Sequence, residues 1–269
     1  MTRTLPLVAA ALLGLALLAP SVPVWAYPKP SVYPVSWELK FRHGDPRRIV
    51  VTLPGTTTPR AYWYVTYSVT NTGANPDADS RNKDIDFLPS FELVSMEGQV
   101  LTAGLEATED GGRRPIQSVV FDAIKAREGN KYLEPHSKAI GRLLVGEDQT
   151  RDSVAIWSEP SPDMGRFSIF ISGLAGEAEL FKRVGNDFLK VDTAQEIKDA
   201  KPGDLSMMRK TLQLTYELSG RAGPGNEKAD PVREEWIMRQ DAAIGARPAR
   251  GGAAGTVTAP PATRPATQP

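Results

Sequence analysis

Apolar and polar residues alternate with a period of two along much of the chain. Trp37-Glu-Leu39-Lys-Phe41 alternates, and Ile49 to Leu53 is a short β-branched run. The longest such segment is Tyr62 to Asn71, where Trp63, Val65, Tyr67 and Val69 share one face and Thr66, Ser68 and Thr70 share the other. Phe91 to Ser95 follows, closed by the turn Glu97-Gly98, and then come Ala139 to Val145, Val154 to Ser158 and Arg166 to Ser172. Late in the chain Leu212, Leu214, Tyr216 and Leu218 alternate with Thr211, Gln213, Thr215 and Glu217. Successive strand side chains point to opposite faces, so this alternation puts one face inward and the other in water. Several such strands with Gly and Pro turns between them predict a mostly β protein, an antiparallel sandwich.

Helical spacing is rarer and reads as short insertions. Ile116, Val119, Val120, Ala123 and Ile124 predict an amphipathic helix over 115–128, with Pro115 suited to its first position and Gly129 to its end. Thr193-Ala-Gln-Glu196 is a capping box, so a second short helix is expected over 193–201, stopped by Pro202. Asp230-Pro231 suits the start of a last helix through Trp236, and an extended reading of Glu234 to Arg239 fits nearly as well.

Tyr64-Val-Thr-Tyr-Ser-Val-Thr-Asn-Thr-Gly73 resembles the strand and turn of many Ig-like exported modules, as do Leu133 to Val145, Val154 to Trp157 and Phe167 to Ile171. Over about residues 35–219 the chain resembles a group of uncharacterised exported bacterial proteins. The resemblance implies an Ig-like sandwich and no particular activity, since one fold carries many functions. The chain departs from a plain Ig-like module in long inserts at 105–130 and 176–205, and no functional residue carries over.

The ends change the picture from fold to location. Arg3 precedes an apolar run from Leu5 to Leu18, Pro20 ends it, and Val24-Trp-Ala26 places small residues before a cut. That is the pattern of a cleavable signal peptide over 1–26, with Tyr27 opening the mature domain, 27–244. The run is 14 residues long, short of the roughly 20 that span a bilayer, so no membrane span is expected after cleavage. The chain has no cysteine, hence no disulfide and no lipid-bearing thiol, and its length supports one well-buried core without them. A bacterial exported protein, periplasmic or extracellular, is the expectation. Residues 245–269 are mostly Gly, Ala, Pro, Thr and Arg with five prolines, and are expected to be disordered.

Charge excludes one class of partner. The chain carries 32 basic and 32 acidic residues; without Arg3, Arg247, Arg250 and Arg264 the domain keeps 28 against 32. With no basic stripe, nucleic acid is not expected as a partner.

Candidate chemistry is sparse. A Gly-x-Ser-x-Gly nucleophile turn and a glycine-rich phosphate loop are both absent. The two histidines, His43 and His136, lie far apart in turns and are expected to be solvated. The loop after the long strand alternates acidic residues, and Asp77, Asp79, Asp84 and Asp86 are the candidate metal ligands; the cofactor such a loop would take is calcium. Asp77 and Asp79 have the opening spacing of a calcium loop, but Arg81 and Asn82 stand at its fifth and sixth positions and Leu88 at the twelfth. A solvated connection is the plainer reading. Glu147, Asp148 and Asp152 form a second acidic group, read as a surface turn or as paired carboxylates for sugar hydrolysis. Tyr62 and Tyr64 fall on the face opposite Trp63, so an insert such as the 115–128 helix covers them, or they form an exposed patch and are the candidate ligand-binding residues. Two functions follow: a non-catalytic binding or structural module whose partner is a protein or a surface polysaccharide, or a cation-assisted hydrolase acting on polysaccharide.

Overall fold

The computed structural model describes residues 37–240 except 75–80, 109, 186, 192–193, 201–203 and 226. The expected signal peptide, the start at Tyr27, the tail 245–269, and Asp77 and Asp79 all lie outside the described residues. The first half of the chain forms β1 (Lys40–His43), β2 (Arg47–Thr52), β3 (Pro59–Thr70), β4 (Ile85–Phe87), β5 (Ser90–Ser95), β6 (Val100–Thr102), β7 (Leu105–Ala107) and β8 (Arg113–Pro115). Helix α1 (Ser118–Glu128), β9 (Glu134–Pro135), α2 (His136–Ala139) and β10 (Gly141–Leu143) lead into β11 (Arg151–Ser158). The rest is β12 (Arg166–Ser172), β13 (Ala178–Val184), β14 (Asp187–Lys190), α3 (Ala194–Asp199), β15 (Leu205–Glu217) and β16 (Asp230–Arg239).

The protein is mostly β, with two main sheets whose strands pair antiparallel apart from a two-residue parallel contact of β9 with β11. In the first sheet β3 is central, taking β1 and β2 on one edge and β11 on the other. The second runs β14-β13-β15-β12-β5-β6, with β16 on β15. Their inner faces meet. Trp63, Val65, Tyr67 and Val69 of β3 pack with Phe91, Leu93, Phe167, Ile169, Leu212, Leu214 and Tyr216 in one core cluster. Aromatic pairs cross the gap, Trp63 to Phe167 at 5.7 Å and Tyr67 to Phe91 at 4.8 Å between ring centroids. The two-residue period of β3 therefore marks a strand with one face in the core, as its sequence predicts. Segment 37–39 closes one side of the sandwich: Leu39 N–H bonds Leu174 O and Gly176 N–H bonds Trp37 O.

Helix α1 lies on the outer face of the first sheet. Val120 and Ile124 are fully buried there against Tyr62, Tyr64, Val51, Leu53, Val154 and Ile156, a second apolar cluster. Each such side chain taken out of water contributes about 1.5–3 kcal/mol. The helix stops where expected: Gly129 has φ 65°, a left-handed conformation that glycine adopts without strain, and its N–H bonds Lys125 O. It starts later than expected, because Pro115 ends β8 in a hairpin with β7 and Gln117 takes the cap position.

Two further expectations are corrected. Ala139 to Val145 is not one strand; Ala139 ends α2, and only Gly141–Leu143 is extended, paired with β4. Asp230 to Trp236 is strand rather than helix, because β15 offers an edge along which β16 pairs from Asp230 to Arg239. The 193–201 helix is present as Ala194–Asp199, with Thr193 and Pro202 outside the described residues. Among the described residues no helix is long and apolar enough to cross a membrane.

Candidate functional site

The outer face of β3 is divided along its length. Its first half carries Tyr62 and Tyr64, which are 0% and 1% exposed. They do not form an open aromatic patch: α1 and β2 cover them, and their hydroxyls point at carboxylates. Tyr62 donates to Glu106 at 3.3 Å and Tyr64 to Glu128 at 2.6 Å. Burial, with Glu106 adding to it, pushes the Tyr62 phenol up to about 12, and burial with Glu128 raises Tyr64 as well. The apolar, helix-covered reading of these residues is the one the packing realises.

The second half of that face carries Thr66, Ser68 and Thr70, and α1 does not reach it. Antiparallel pairing sets Arg42 of β1, Ser68 of β3 and Asp152 of β11 side by side in one row across the sheet. The row beyond it joins Thr66 to Val154, with the Gly44 N–H bonding Thr66 O. Arg42, Gly44, Thr66, Ser68 and Asp152 line a cleft of about 410 Å³ with Asn130 and Leu133, which follow α1. Asn130 Nδ2 donates to Asp152 Oδ2 at 3.1 Å, and its Oδ1 accepts the Tyr132 N–H at 2.9 Å. Leu133 is buried in the second apolar cluster and pins the far end of this loop. The floor is made of hydroxyls and the walls of a guanidinium, an amide and a carboxylate. Such a set donates and accepts hydrogen bonds in several directions at once.

The remaining candidates lie elsewhere. Asp84 accepts from Arg142 Nε at 3.1 Å and from the Val145 N–H, while Asp86 is exposed on β4 opposite Arg142. Asp84 thus already serves a guanidinium, and among the described residues no group of three or more His, Cys, Asp or Glu gathers where a metal ion could sit. Glu147 pairs with Lys40 at 2.8 Å, and only Asp152 of the second acidic group reaches the cleft. The histidines are not simply solvated. His43 stacks on Phe41 at 5.8 Å with Nε2 at 3.7 Å from Glu234. His136 tucks its ring against Phe91 at 5.1 Å, with Nδ1 at 3.0 Å from the Tyr67 hydroxyl, and burial pushes its pKa down to about 4.

Strand pairing is what sequence reasoning missed here. Thr66 and Ser68 are legible as part of a wet face, though Thr70 beside them is buried, and Arg42 and Asp152 are far from them in the chain and meet Ser68 only through the register of β1 and β11. Comparison with family models, with curated proteins and with solved structures finds no match to this chain.

Proposed function

We propose that this protein is an exported, non-catalytic binding module of the bacterial envelope or extracellular space, and that it holds its ligand in the cleft over β1, β3 and β11. The export part rests on the N-terminal pattern from Arg3 to Ala26, and an Ig-like reading of the sandwich rests on the Tyr64–Gly73 phrase. The observation that carries the binding part is the row Arg42, Ser68, Asp152 left open on a face whose other half is sealed by α1. Polar side chains on a rigid central strand form a pre-set hydrogen-bonding surface, and little ordering is needed on binding. A hydrolase acting on sugars works with two carboxylates flanking the scissile bond. Among the described residues lining this cleft, Asp152 is the one carboxylate, which favours holding a ligand over cleaving it.

The test is retention of solubilised envelope polymer by the immobilised full-length protein and by its Ser68→Arg variant, in which a guanidinium fills the floor. Retention by the wild type, reduced at least tenfold in the variant at unchanged melting temperature, is the expected result. Equal retention by both, or none by the wild type, overturns the proposal.

A further inference from the structure

We infer that the β14 edge of the second sheet pairs with the same edge of a second copy of this chain, antiparallel, about a two-fold axis beside Phe188. The inference does not rest on the cleft. Strand β14 ends the sheet, with β13 as its neighbour. The Val191 N–H bonds Leu180 O at the rung just past β14. Along an antiparallel pair, residues alternate between facing their partner and facing away. With Lys182 opposite Leu189 and Val184 opposite Asp187, the backbones of Leu189 and Asp187 face β13. The Phe188 N–H and C=O therefore point out from the sheet. The longer edge strand β16 carries Pro231 and a register shift where it meets Thr215 and Tyr216, both of which discourage a further strand. β14 carries neither.

The surface around this edge is apolar. Val184, Leu189 and Met207, each about half exposed, lie on one face of the three strands. Exposed apolar residues gathered on one face mark a contact surface.

The charges choose the occupant. With the axis beside Phe188, each Phe188 N–H meets the Phe188 C=O of the copy, and the two rings stand side by side. The same register sets Asp187 opposite the copy's Leu189. Lys182 is the cross-strand partner of Leu189, so Asp187 shares a row with the copy's Lys182. They are two strand spacings apart, about 10 Å, a span that an aspartate and a lysine side chain close between them. The two-fold axis makes this opposite-charge row twice and sets no like charges opposite each other in these rungs. That self-complementarity favours a second copy over a lipid surface or an unrelated strand. The contact is narrow, so the association is weak and depends on concentration.

The experiment is sedimentation equilibrium of the full-length protein between about 1 μM and about 1 mM, with wild type, Asp187→Lys and the swap Asp187→Lys/Lys182→Asp. We expect wild type to dimerise, Asp187→Lys to dimerise at least tenfold more weakly, and the swap to return within about threefold of wild type. Asp187 is exposed, so its reversal tests the contact rather than folding. The chain has no cysteine, which allows a second reading of the register. Asp187→Cys and Leu189→Cys, mixed and oxidised, should form a disulfide with each other far faster than either forms one with itself. A wild type that stays monomeric throughout overturns the inference and leaves the edge to a different chain or a lipid surface. So does an Asp187→Lys variant that dimerises like wild type, or a mixed disulfide no faster than the self-pairs.

Discussion

The His136 imidazole lies edge-on to Phe91 and within hydrogen-bond distance of the Tyr67 hydroxyl, at the margin of the core. Loss of hydration lowers its pKa from 6.5 to about 4. The unfolded chain takes up this proton near pH 6.5, and the folded chain does so only near pH 4. Stability from the neutral ring is therefore complete above about pH 6.5 and is lost as pH falls toward 4, to the extent of roughly 3 kcal/mol. Urea unfolding at pH 7, 5.5 and 4 should show that decline, and a His136→Phe variant should flatten it relative to the wild type. An equal decline in both proteins would assign the pH dependence to the carboxylates instead. Other buried charges are better supported. Lys210 is 2% exposed, yet it reaches Glu38 at 2.7 Å and Glu177 at 3.5 Å and lies 4.6 Å from the centre of the Trp236 ring. None of these partnerships is visible in the local sequence, because Glu38 and Lys210 meet only when segment 37–39 closes the sandwich.

At the level of elements, β3 and β12 were readable because each has a continuous partner layer, and a buried face imposes a clean period of two. The bounds of β12, Arg166–Ser172, are those its pattern predicts. The β13–β14 hairpin was not readable for the opposite reason. It pairs with β15 over Leu205 to Arg209, past the part of β15 that pairs with β12, and carries Val184 and Leu189 about half exposed. A strand with weakly distinguished faces leaves no clear alternation. β16 was ambiguous because Glu234 and Trp236 share a face, so a polar residue stands where the strand pattern wants an apolar one. Helix α1 is held by packing rather than by a side-chain cap, since Gln117 makes none. Ile124→Ala, at a position with no exposure, should cost about 3 kcal/mol in urea unfolding. It should also raise the quenching of tyrosine emission as Tyr62 and Tyr64 become accessible. A change below about 1 kcal/mol would show that the helix contributes little to the fold.

For the molecule as a whole, β3 belongs to both apolar clusters at once, Trp63 and Val65 to the inner one and Tyr62 and Tyr64 to the outer one. Neither cluster can dissolve while the other keeps β3 in place, so the sandwich and α1 form one unit. The hairpin is outside that unit. Native-state amide exchange should show β13 and β14 opening with free energies well below those of β12 and of β15 from Leu212 to Tyr216. Uniform protection across all of these strands would mean that the hairpin is as firmly held as the core.

The division of one strand between a sealed half and an open half ties occupancy to endurance. The floor of the cleft is the same backbone that carries the core, so a ligand held there, as proposed, would be coupled to the whole fold. A molecule resting on Ser68 and Thr66 would therefore act as a brace for the entire fold. At a hundred times its dissociation constant it adds about 2.7 kcal/mol to the unfolding free energy. The melting point of this protein would thereby become a gauge of what fills the cleft, read without a label, a substrate or a product.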